Sequence, residues 1–92
     1  MNKQAVGLEV IYPNAAGVDI GSEQHFCSVG ANQEVRSFSA FTYGLQELCG
    51  WFRSQGVTHV AMESTGCYWI PLYEMLEREG FEVALINAAH VK

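Results

Sequence analysis

Two segments with helical period, each set between short apolar runs, limit what this chain can become. Leu45, Leu48, Cys49 and Phe52 recur at i, i+3, i+4 and i+7, and Gly56 closes the stripe. Thr42 stands where an N-cap belongs. Trp69, Leu72, Tyr73 and Leu76 form a second stripe, closed by Gly80. Proline is tolerated only in a helix's first turn, so Pro71 makes this helix start near Trp69 or Ile70. "VTHVAMES" between the two stripes and "FEVALIN" after them read as short strands. Strands joined through helices of this length run parallel.

The upstream third has a different rhythm. "GVDIGS", "HFCSVG" and "EVRSFSAF" follow one another through Ser-Glu-Gln and Ala-Asn-Gln, connections short enough for an antiparallel meander. Residues 1–15 show little periodicity, and Pro13-Asn14 reads as a turn, so an irregular or extended lead-in is expected there. The order is β-β-β-α-β-α-β. It predicts an α/β fold with a mixed five-stranded sheet: three antiparallel strands, then two parallel strands reached through right-handed helical crossovers. The ribonuclease H-like fold and the actin-like ATPases share that arrangement, and fold alone does not choose between them.

Ninety-two residues allow one small domain, here 16–92. No apolar run approaches the roughly 18–20 residues of a membrane span, and the first residues make a poor signal peptide. Cys27, Cys49 and Cys67 are an odd, widely spaced set without a C-x-x-C pair, as expected of free thiols in a reducing cytoplasm. Five Lys and Arg stand against ten Asp and Glu, a net charge of −5. That balance argues against a basic nucleic-acid clamp but suits a site built from carboxylates.

Two acids sit inside the apolar strands. Alternate strand residues share a face, so Asp19 lies with Gly17 and Gly21, and Glu63 with Ala61 and His59. Each acid has small neighbours that leave room for an approaching group. If the first and fourth strands are parallel neighbours, both carboxylates meet at the carboxyl ends, where open α/β sheets bind ligands. Carboxylates held together repel unless a cation lies between them, and Mg²⁺ or Mn²⁺ is the natural occupant. Taken singly, either acid also reads as a polar strand end, capped by backbone amides or turned to solvent.

Other residues carry weaker signals. His25 and His59 read as surface histidines at strand ends, and His90 follows the last strand. Cys67 reads as a packing residue, "STG" at 64–66 as loop and cap chemistry, and Tyr68 and Trp69 as core or rim aromatics.

"YPNAAGVDIGSEQHFCSV" followed by "VAMESTGCYWIPLYEMLEREGFEVALINAAHVK" resembles the amino-terminal domain of the DEDD transposases of the IS110 family, the bridge-RNA-guided recombinases. The pairing of "G-V-D-I-G" with "M-E-S-T-G-x-Y-W" carries the resemblance, which runs from about Tyr12 to Lys92. It implies a RuvC-like, ribonuclease H-like domain whose four acids hold Mg²⁺, with Asp19 as the first and Glu63 as the second. On this reading the remaining two acids follow the stretch from Asn87 to Lys92, so the chain stops after the fifth strand, short of them. The resemblance further implies DNA and a guide RNA as partners, strand cleavage and transfer in transposition, and weak metal binding and no cleavage by this chain alone. Two other readings stand beside it. In an actin-like or sugar-kinase-type nucleotide-binding module the Asp19-x-Gly21 hairpin would cradle phosphate, although Glu23 would repel it. The third reading is a non-catalytic interaction domain. Uncovered apolar surface makes a homodimer the expected assembly.

Overall fold

The computed structural model describes residues 14–30 and 34–86. Strands β1 (Ala15–Asp19), β2 (Gln24–Val29) and β3 (Glu34–Ser39) come first. Helix α1 (Thr42–Ser54), strand β4 (His59–Glu63), helix α2 (Ile70–Arg78) and strand β5 (Glu82–Ile86) follow. The sheet order is β3-β2-β1-β4-β5. β1 and β3 run antiparallel to β2, whereas β4 runs parallel to β1 and β5 parallel to β4. This is the mixed sheet expected from the sequence, in the ribonuclease H-like arrangement.

Central position explains the composition of β1. Ala15, Ala16, Gly17 and Val18 are all buried, as suits a strand hemmed in by neighbours on both sides. β3, at one edge, is largely exposed and carries Glu34 and Arg36, charges that discourage pairing with another chain. β1 begins at Ala15, the last residue of the stretch expected to be irregular or extended. The carbonyl of Asn14 accepts the amides of Thr58 and His59 at 2.9 and 3.2 Å, which sets the parallel ladder going at Ala15 opposite His59. Pro13 lies outside the described residues.

Both helices cover one face. Leu45, Leu48, Cys49, Trp51 and Phe52 of α1 and Leu72 and Leu76 of α2 pack on Ala16, Val18, Cys27, Val29, Val60 and Met62. Leu48, Phe52, Leu72 and Leu76 are fully buried, each worth roughly 1.5–3 kcal/mol relative to exposure. Gly56 and Gly80, at φ of 74° and 95°, turn the chain out of the two helices where the sequence places the stops. The start of α1 differs by one residue from expectation. Phe41, not Thr42, is the N-cap, and it has no side-chain capping bond. The Ser39 hydroxyl accepts the Phe41 amide at 3.1 Å and bends the chain early, so Thr42 is already helical. Arg53 and Glu79 join the ends of the two helices at 2.7 Å; exposed as both are, the pair contributes less than about 1 kcal/mol. Among the described residues no helix is long and apolar enough to cross a membrane.

Candidate metal centre

The face away from the helices belongs to the acids. Asp19 is the last residue of β1 and exposed; Glu63 is the last residue of β4 and half-buried. Parallel pairing sets Gly17 beside Ala61 and Val18 beside Met62, and the next step of the same register puts Asp19 beside Glu63. The line continues outward on both sides, because Asp19 pairs with Phe26, Phe26 with Ser37, and Glu63 with Ile86. One step back along the strands lie Val35, Ser28, Gly17, Ala61 and Ala84. Four of these five are small, so the acids rise from a shallow floor.

Each acid is held by a different device. Glu63 pairs with Ile86 of β5, and the Ser64 amide donates to the Ile86 carbonyl at 2.9 Å, one step beyond it. Asp19 stands where β1 turns into β2, and its backbone meets a partner only at Phe26 on that side. Among the described residues neither carboxylate is engaged by a hydrogen bond or an ion pair. Asp19 is turned toward solvent. Two adjacent carboxylates present hard oxygen donors, the chemistry Mg²⁺ and Mn²⁺ select. Among the described residues no group of three His, Cys, Asp or Glu gathers to complete such a shell.

The family model of the IS110-type DEDD transposases matches residues 16–92. The chain belongs to that family. No curated protein matches it. The match covers β1 from Ala16 onward and every later strand and helix among the described residues, so both acids lie within the transposase domain, which is of the amino-terminal, catalytic type.

In this transposase domain several other residues sit where the sequence did not suggest. His25 is buried, not a surface residue, with 1% of its area exposed. Its place in β2 pairs it with Phe38 on the helix-covered side, and its Nδ1 accepts the Gly21 amide at 3.3 Å. Burial lowers its pKa. Cys67 is exposed and so does not pack, whereas Cys27 and Cys49 are buried; all three are free thiols. "STG" makes no side-chain cap for α2. The Gly66 carbonyl instead accepts the Trp69 indole N–H at 3.0 Å, and Trp69 packs edge-on to Tyr73 at 5.6 Å. Tyr68 is exposed. His59 opens β4, with its Nδ1 2.8 Å from the Thr58 hydroxyl. His90 lies outside the described residues.

Phe26 was missed altogether. It is 49% exposed, directly across from Asp19. The strand boundaries alone would not have revealed it, because a simple four-residue turn would set Gln24 opposite Asp19, whereas six residues separate Asp19 from its partner Phe26. Phe41 and Tyr43, which follow β3, are also exposed and stack at 6.5 Å, and Tyr68, which follows β4, is exposed as well.

Proposed function

We propose that this domain is the RuvC-like part of a bridge-RNA-guided transposase, and that Asp19 and Glu63 are the first two acids of its DEDD metal site. The observation that supports this reading is the parallel β1–β4 register, in which Gly17 pairs with Ala61 and Val18 with Met62, Asp19 and Glu63 being the next residue of each strand. Membership of the transposase family supports it. The substrate is DNA and a guide RNA is the partner that selects it. The exposed Phe26 ring, opposite Asp19, offers a face on which an unpaired base stacks. The net charge of −5 leaves most of the grip on phosphates to other parts of the assembly.

Bound Mg²⁺ or Mn²⁺ would supply Lewis acidity toward the phosphoryl group and an activated attacking oxygen. Asp19 and Glu63 would each contribute carboxylate oxygens and fix where the scissile phosphate lies relative to the sheet end. The small floor lets a phosphodiester come close. Two carboxylates fill only part of an octahedral shell, leaving about four positions to water and other ligands. The chain therefore binds the ion weakly and does not cleave DNA by itself. Calorimetric titration with Mn²⁺ should show weak binding that disappears in Asp19→Asn and in Glu63→Gln, with no strand cleavage of branched or duplex DNA. Binding that survives both replacements would refute the assignment.

A further inference from the structure

Asp19 has little on its own face to hold it. It is exposed, its neighbour there is Gly17, and the chain reverses between Asp19 and Gln24. A second contact fixes that reversal from the opposite side of the sheet. His25 is the buried polar side chain of the described core, and its Nδ1 reaches across the hairpin to the amide of Gly21. A backbone N–H can only donate, so Nδ1 carries the lone pair and the ring hydrogen sits on Nε2. A Cβ at Gly21 would stand 2.3 Å from the Gln24 carbonyl oxygen, so the turn is closed tightly around it. Glu63 is held differently, by its pairing with Ile86 of β5 and by the Ser64 amide, which donates to the Ile86 carbonyl just beyond it.

We propose that His25 is the positioning residue for Asp19. Acting through the Gly21 amide from the helix-covered face, it holds the β1–β2 turn so that the Asp19 carboxylate stands on the open face beside Glu63. The consequence for metal binding rests on the metal-site reading, whereas the hydrogen bond and its effect on the turn do not. Groups that orient a metal ligand without touching the metal typically change its affinity 10- to 100-fold.

The test compares the 92-residue chain with His25→Phe and His25→Asn. Phenylalanine keeps a ring in the core and removes the acceptor; asparagine places a carbonyl oxygen where Nδ1 stands. Nitrogen NMR of the native chain should show an unprotonated Nδ1 coupled through the hydrogen bond to the Gly21 amide nitrogen. His25→Phe should keep its circular dichroism, exchange the Gly21 and Asp19 amides measurably faster, and bind Mn²⁺ about tenfold more weakly. His25→Asn should recover both properties. A protonated Nδ1 in the native chain overturns the proposal, and so does unchanged amide exchange in His25→Phe. If the native chain binds no Mn²⁺ near Asp19, the metal reading fails, and the amide exchange alone decides the positioning role. Should His25→Phe not fold, the native ring nitrogen pattern and native-like exchange in His25→Asn support the proposal; failure of either refutes it.

Discussion

That Asp19 and Glu63 stand on the sheet face away from the helices was legible because strand side chains alternate with a fixed period of two. Once Gly17 and Ala61 were seen to share their faces, only the pairing of the two strands was needed to bring them together. The fate of His25 was not legible. Its face is covered only because both helices fall on the same side of the sheet, and its partner Gly21 is set by a turn geometry that composition does not encode. This burial has a consequence for pH. Desolvation holds the imidazole pKa below its ordinary value of about 6.5. Above that value the ring is neutral in folded and unfolded chains alike. Below it the unfolded chain takes up a proton that the folded chain resists, so stability falls with pH until the lower folded value is passed. Urea unfolding should therefore show a steeper loss between pH 7 and pH 5 in the native chain than in His25→Asn, by at most about 1.4 kcal/mol per pH unit. The thiols divide in the same way. Burial pushes Cys27 up strongly and, with Glu79 nearby, Cys49 up to about 11. A disulfide exchange reagent at pH 8 should titrate one fast thiol in the folded chain, and Cys67→Ser should remove it.

At the scale of elements, the apolar stripes and glycine stops placed both helices within a residue or two. Strand ends were read too generously: "GVDIGS" and "EVRSFSAF" extend past Asp19 and Ser39, where the ladders stop. Hydrogen-bond partners on other strands determine those ends, and a single strand's sequence does not contain them. The start of α1 shows the same dependence, since Ser39, three residues ahead of the helix, decides it. An N-cap without a side-chain acceptor is an opportunity for stabilisation. Phe41→Asp should supply the missing acceptor and place a negative charge at the positive end of the helix. Phe41 is 67% exposed and gives up mainly its stacking on Tyr43 at 6.5 Å. We expect a gain of about 1 kcal/mol by chemical denaturation, and a loss of stability would show that the aromatic pair outweighs the cap.

For the whole molecule, the order of elements was enough to give the topology, because strands joined through helices run parallel and short connections do not. What the order leaves open is the company the sheet keeps. The face away from the helices carries Phe26 and Val35 in the open, and Leu85 is exposed on the edge strand β5. Apolar surface of this kind favours association, and a homodimer is the expected state. Sedimentation equilibrium should show mass rising toward the dimer with concentration, and Phe26→Ser with Val35→Ser should return it to the monomer. A monomer at every concentration would contradict this. The central claim, that Asp19 and Glu63 form one cation site, is tested most directly by Mn²⁺-induced broadening of amide resonances. Substoichiometric Mn²⁺ should broaden resonances around Asp19, Glu63, Gly17, Ala61 and Phe26 first, and Asp19→Asn or Glu63→Gln should each abolish the effect. Broadening centred away from both acids, or unchanged by their replacement, would contradict the claim.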